Sequence, residues 1–175
     1  MKNKISIVGA ESTGKSTLAK QLARHFAGRC VEEYAREYVE SIGRGYTEED
    51  VEVIARKQIE QLRAEYEEEY VFFDTELIIT KVWFDDKYGR VPQWVEESIK
   101  RLEPKWCLLC MPDLPFVYDP VRENPHRREE LTERYEQELK KYGIRYYRVC
   151  GSGEERLKRA VDIIETVCRE GCDKL

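Results

Sequence analysis

The sequence predicts an α/β domain spanning residues 1–175, with a parallel β-sheet of about five strands flanked by helices. Three observations carry that prediction. Short apolar runs alternate along the whole chain with segments of helical periodicity. The first run passes directly into GAESTGKS, residues 9–16, and then into a helical segment. A second run, VFFD at residues 71–74, ends in a carboxylate.

The elements follow in order. KISIVG, residues 4–9, is the first strand. Leu18, Leu22 and Phe26 recur at helix spacing over 16–26, and Gly28 is expected to end that helix. Residues 30–32 make a short second strand, and 34–42 a helix with Tyr34, Tyr38 and Ile42 on one side. Thr47 and Asp50 form a capping pair with Asp in place of the usual Glu. The helix they open carries Val51, Ile54, Ile59, Leu62 and Tyr66 on its inner face. After the third strand, helical spacing resumes over 77–84 and again over 92–102. Residues 106–111 are a fourth strand, 129–142 a charged helix and 145–149 a fifth strand. GSG at 151–153 is a turn before the last helix, 154–168.

Residues 112–128 stand apart. They hold four prolines and four Arg or His side chains, which disfavours a regular element. The segment is expected to be a lid at the edge of a site, with Asp113, Asp119, Arg122, Arg127 and Arg128 in or beside it. Arginines on a closing loop neutralise a transferring phosphoryl group and help exclude water. Arg122 is the preferred member, and one of Arg127 and Arg128 is expected to face phosphate.

Composition narrows the classes of function. The net charge is -5, and both signs are mixed along the chain, which argues against broad electrostatic binding of nucleic acid. No apolar run reaches membrane-spanning length, and the N-terminus reads as a strand rather than a signal peptide, so a cytoplasmic protein is expected. Cys107 and Cys110 lie three apart in a strand and therefore point to opposite faces, a poor arrangement for joint metal ligands. Free or buried thiols are the expected state of the cysteines.

GAESTGKS satisfies G-x-x-x-x-G-K-[ST] between a predicted strand and a predicted helix, the context that a phosphate-binding P-loop requires. Gly9, Glu11, Ser12, Thr13, Gly14, Lys15, Ser16 and Thr17 are its candidate cofactor-binding residues. Loop N–H groups would hold phosphates, Lys15 would neutralise charge moving during transfer, and the Ser16 hydroxyl would join an Mg²⁺ shell. Asp74 is placed where a Walker-B carboxylate belongs, as a metal-side or proton-accepting group; the competing reading is a cap for the next helix. In doubly wound folds ligands gather outside the carboxyl ends of strands, and VEEYAREYVE, residues 31–40, follows strand two to that edge. Glu33 is then a candidate for sugar hydroxyls or a hydroxyl proton, Tyr34 and Tyr38 for a planar ring, and Arg36 for an anion. An ordinary helix start remains the alternative for this stretch.

GAESTGKSTLAKQLA (9–23), EYAREYV (33–39), IARKQ (54–58), FFDTELIITKVW (72–83) and LPFVYDPVR (114–122) together resemble the ribosylnicotinamide kinase domain of NadR-type proteins. The resemblance implies a P-loop nucleoside-kinase-like fold, ATP and Mg²⁺ as cofactors, and phosphorylation of the 5′-hydroxyl of nicotinamide riboside to nicotinamide mononucleotide. It implies Glu33 facing the riboside, Asp74 by the metal and attacking hydroxyl, and Trp83 among the aromatics around the ring. It also implies Arg122 in the lid and the 151–156 turn, with Arg156, near adenine. The chain departs from the family at Glu76, where DTD is common, and at Phe116 and Pro120, where tryptophan and glycine are common. The expected protein is a stand-alone kinase, without adenylyltransferase or DNA-binding parts. Its alternatives are a kinase for another nucleoside or small metabolite, or a nucleotide-hydrolysing regulatory module. The absence of an N-K-x-D guanine-reading pattern weakens a GTP switch.

Overall fold

Five parallel strands in the order β2-β3-β1-β4-β5 form the sheet of the computed structural model, which describes residues 3–104, 106–119 and 124–172. The strands are β1 (Asn3–Val8), β2 (Arg29–Val31), β3 (Tyr70–Asp74), β4 (Trp106–Cys110) and β5 (Arg145–Val149). Among the described residues seven helices accompany them: α1 (Lys15–His25), α2 (Tyr34–Ser41), α3 (Glu48–Arg63), α4 (Leu77–Tyr88), α5 (Gln93–Arg101), α6 (Arg128–Lys141) and α7 (Gly153–Cys172).

Strand alternation divides the core in two. Phe72 faces α1 and α7, where Leu18, Leu22, Val161 and Ile164 pack with Ile5 and Ile7. Phe73 faces the other way, into Val51, Leu77, Val82, Val95 and Leu139 from α3 to α6. Cys107 belongs to the second cluster and Cys110 to the first, the opposed arrangement expected of strand residues three apart. Burying each large apolar side chain contributes roughly 1.5–3 kcal/mol, so this double-sided core supplies the main driving force for folding.

Three local expectations are corrected. Gly28 is not the left-handed residue that ends α1; Ala27 is, with φ 48°. Gly28 is needed because a Cβ there would lie 2.4 Å from the Tyr70 carbonyl oxygen, where β2 closes onto β3. Tyr66 lies beyond α3 and donates its hydroxyl back to the Gln61 carbonyl at 2.8 Å. Helix α4 runs on to Tyr88, where Gly89 at φ 62° terminates it. The Thr47–Asp50 capping pair does form: the Asp50 carboxylate accepts the Thr47 backbone N–H at 2.7 Å.

β1 lies at the centre, with β3 on one side and β4 on the other. The chain winds outward from it in both directions, so the loops after β1, β2, β3 and β4 converge at the carboxyl edge of the sheet.

Candidate active site

The loop between β1 and α1 is shaped by its glycines. Gly9 sits at φ 152°, and a Cβ there would come within 2.7 Å of the Cys110 carbonyl oxygen. Gly14, at φ 75°, turns the chain into α1, whose first helical bond runs from the Leu18 N–H to the Gly14 carbonyl at 2.9 Å. The N–H groups of the helix's opening turn therefore have no intrahelical acceptor and form an anion-binding end. Thr13 is fully buried and donates to the Ala10 carbonyl at 2.8 Å, and Lys15 Nζ donates to the same carbonyl at 2.9 Å.

Two carboxylates flank this loop. β3 delivers Asp74, which is buried close to the Ser16 hydroxyl. The end of β2 delivers Glu33, at the N-terminus of α2. Burial pushes both carboxyl groups above their ordinary range, and the Lys15 charge opposes that rise at each. The Asp74 charge adds to the rise at Glu33, and the Glu32 charge adds to that at Asp74. Asp74 Oδ1 is buried without a hydrogen-bond partner. A buried carboxylate oxygen beside a serine hydroxyl is an oxygen donor set that suits Mg²⁺, which uses few protein ligands and keeps waters and phosphates. Among the described residues no cluster of three or more His, Cys, Asp or Glu side chains forms a metal site.

A cleft of about 540 Å³ extends from the loop, lined by Gly9, Lys15, Ser16 and Thr17 at one end and by Glu33, Thr75, Trp83 and Tyr46 further along. α2 turns Ala35, Arg36 and Val39 toward it, and α4 turns Ile79, Val82, Trp83, Asp86 and Lys87. The structure does not bring Tyr34 and Tyr38 into this cleft, because they occupy the other side of α2. Tyr34 lines a separate, more open groove beside β2, and the Tyr38 hydroxyl bonds Asp50 at 2.9 Å. Sequence reasoning missed Tyr46, Ile79, Val82, Asp86 and Tyr135. The signal for part of the set was present, since positions 79, 82, 83 and 86 share a helix face. Tyr46 had none: it lies in the loop before α3, and its ring meets Trp83 edge-on with centroids 4.8 Å apart. The Trp83 Nε1–H donates to the Tyr46 hydroxyl at 3.2 Å, fixing the indole's orientation.

The described part of the 112–128 segment rests on the loop between β1 and α1. The Val117 N–H donates to Ser12 Oγ at 3.0 Å, and the Asn124 N–H donates to the Glu11 carboxylate at 3.0 Å. Arg36 on α2 pairs with Asp119 at 2.8 Å. Arg128 donates to the Ser12 and Leu114 carbonyls at 3.3 and 2.8 Å, whereas Arg127 pairs with Asp86 and Glu130. Of the two arginines, it is therefore Arg128 that stands at the phosphate loop. Arg122 lies outside the described residues. Arg156 does not line the cleft; its guanidinium reaches the loop from beneath, on the Thr13 carbonyl at 2.8 Å.

A phosphate loop after the central strand, a carboxylate ending the neighbouring strand and a strand order of 2-3-1-4-5 define a P-loop domain with the fold of nucleoside kinases. The chain belongs to the AAA_28 family, an AAA domain whose pattern matches residues 4–156. It is similar to the trifunctional NAD biosynthesis/regulator protein NadR of Escherichia coli K12, at 26% identity over 95% of the chain and 43% of that protein. The NadR of Salmonella typhimurium LT2 is 27% identical over 67% of the chain and 30% of its own length. The chain thus spans less than half the length of these curated relatives. Among solved structures, a NadR protein in complex with NR superposes with a TM-score of 0.82 at 23% identity, covering 94% of this chain and 51% of that one. A deoxyadenosine kinase from M. mycoides superposes with a TM-score of 0.68 at 14% identity, covering 93% and 99%. No helix among the described residues is long and apolar enough to cross a membrane.

Proposed function

We propose that this protein transfers the γ-phosphoryl group of ATP to the 5′-hydroxyl of nicotinamide riboside. The observation that carries the proposal is one continuous cleft with a phosphate-binding loop at one end, the buried Asp74 and the half-buried Glu33 beside it and an oriented indole beyond them. Likeness to NadR proteins, one of them in complex with NR, supports this acceptor over others.

In this reading the acceptor oxygen attacks the γ-phosphorus as the bond to the β–γ bridging oxygen breaks. ADP leaves, and the hydroxyl proton passes to a carboxylate. Asp74 is assigned that proton, with Glu33 as the rival; both have carboxyl groups raised by burial, which suits a proton acceptor. Lys15 and the N–H groups at the start of α1 counter charge on the moving group, so the work is positioning and electrostatics. Ser16 and Asp74 would hold Mg²⁺, which when bound supplies positive charge to the phosphates. Glu33 and Arg36 would contact the riboside, and Trp83 its ring. Arg122 is assigned to the lid on resemblance alone.

The test is direct. Purified protein is given ATP, Mg²⁺ and a panel of nucleosides, and products are separated by mass. Nicotinamide mononucleotide formation with the highest kcat/KM of the panel is expected. A higher kcat/KM for another nucleoside would replace the acceptor while keeping the class. Acceptor-independent hydrolysis alone would point instead to the regulatory reading.

A further inference from the structure

We infer that Arg156 is a positioning residue for the nucleotide's phosphates, holding the phosphate loop in its binding conformation without touching the base. The inference rests on the ATP reading above. Arg156 is 4% exposed, at the start of α7, and far in sequence from the loop. Its Nη2 donates to the Thr13 carbonyl at 2.8 Å and the Met111 carbonyl at 3.1 Å. Its Nη1 donates to the Gly151 carbonyl at 2.6 Å and to Asp113 at 2.7 Å. Asp113 in turn accepts the Gly151 N–H at 2.7 Å. One guanidinium therefore ties together the loops after β1, β4 and β5.

The geometry of the peptide unit gives this tie a consequence. In a trans peptide the C=O and the following N–H point in opposite directions. With the Thr13 carbonyl held downward onto Arg156, the Gly14 N–H is directed away from Arg156, on the side where Gly14 and Lys15 line the cleft. Arg128 holds the preceding carbonyl, that of Ser12, at 3.3 Å. Successive carbonyls of the loop are thus gripped from outside by arginines, and their N–H groups are oriented before any anion arrives. Gly14 itself, in the left-handed region, has little intrinsic preference for this orientation. Without the grip the Thr13–Gly14 peptide loses the contact that sets its carbonyl's direction.

Energetics favour a positional role. A buried guanidinium bears a desolvation cost that its ion pair only partly offsets, and a well-packed apolar residue often stabilises a fold as well. Arg156 instead spends its fork on backbone carbonyls at one functional loop. A lysine, with a single charged nitrogen, cannot span those acceptors.

The deciding experiment measures equilibrium binding of three probes to the full chain with Mg²⁺: ATP, inorganic tripolyphosphate and adenosine. Wild type is compared with Arg156→Lys and with Asp113→Asn, which releases the guanidinium's acidic anchor. Loss of a charge-assisted bond at a binding loop weakens affinity by roughly 10- to 100-fold. That loss is expected for Arg156→Lys, equally for ATP and tripolyphosphate, with adenosine unchanged, and a smaller loss of the same pattern for Asp113→Asn. Loss confined to ATP and adenosine would assign Arg156 to the base and overturn the inference. So would unchanged affinity for all three probes. If wild type itself binds neither ATP nor tripolyphosphate, the ATP reading falls and takes the inference with it. If Arg156→Lys does not fold, Asp113→Asn alone decides by the same pattern.

Discussion

The two ends of the cleft are built differently. At the phosphate end, contacts are short, buried or half-buried and made to backbone carbonyls: Thr13 on Ala10, Lys15 on Ala10, Arg156 on Thr13. At the acceptor end, the elements are tied largely by side-chain ion pairs that solvent reaches. Arg36 and Asp119 are 40% and 20% exposed, and Arg127 and Asp86 are 37% and 25% exposed. Exposed pairs contribute roughly 0–1 kcal/mol each and weaken with salt. The phosphate end is therefore preorganised, whereas the acceptor end is held by contacts that rearrange at low cost. Under the proposed function, that division keeps the phosphate end fixed while the acceptor end adjusts around its ligand.

The comparison breaks first at Asp74. Asp74→Asn is expected to lower kcat by roughly 10²- to 10⁴-fold, the range for loss of a general base. The substitution should not cost stability. Burial raises the Asp74 carboxyl group above its unfolded value, so its contribution to stability is fully present below the unfolded pKa and is lost as pH rises through the folded one. Above the folded pKa the wild type carries a buried charge that asparagine removes. Thermal melts at pH 7 should place Asp74→Asn at or above wild type, and a lower melting temperature would mean the carboxylate serves the fold. The same shift predicts that the acid limb of kcat/KM lies above the ordinary carboxylate range, and comparing Asp74→Asn with Glu33→Gln shows which group sets it.

Lys15→Ala should cost roughly 10²- to 10³-fold in kcat, the scale of one preorganised donor to developing charge. Its melting temperature should stay close to wild type, since the ammonium's contact is a single loop carbonyl. Steady-state kinetics with ATP and a melt of the same preparation check both. Retained turnover would remove Lys15 from the phosphate end.

Trp83→Ala acts at the other end and should separate the two. Stacking of a base on an aromatic ring is worth roughly 1–3 kcal/mol, so the acceptor KM should rise about 5- to 100-fold while the KM for ATP holds. Trp83→Phe should recover most of the loss. An equal rise in both KM values would mean that the indole supports the cleft as a whole.

The same asymmetry governs what the sequence revealed. The phosphate end was legible because a loop motif, an apolar strand and a terminal carboxylate are all local patterns, and Gly14, Lys15 and Asp74 follow from spacing alone. The two-sided core was legible for the same reason, down to the opposed Cys107 and Cys110. The acceptor end is assembled from distant segments. Tyr46 reaches Trp83 across 37 positions, and Arg36 reaches Asp119 across 83, through contacts that no periodicity encodes. Arg156 illustrates the limit: the family resemblance implied a place near adenine, and only the three-dimensional approach of α7 to the Thr13 carbonyl brings its guanidinium under the loop.

Tyr38→Phe is the smallest expected effect and the finest test of which face of α2 belongs to the site. A residue-type argument puts Tyr34 and Tyr38 against the ring; the structure turns Ala35, Arg36 and Val39 toward the cleft instead. The Tyr38 hydroxyl serves Asp50, which also accepts from Arg44 at 2.7 and 3.0 Å and from the Thr47 N–H at 2.7 Å. Removing one donor of several leaves that carboxylate satisfied, so the melting temperature should fall only slightly. The acceptor KM should stay within about twofold of wild type, since a change remote from the ligand alters its binding little. Val39→Ala, one position along, should raise the acceptor KM more than Tyr38→Phe does. If the order is reversed, α2 presents its tyrosine face to the acceptor, and the boundary between the two ends of the cleft must be redrawn through Tyr38.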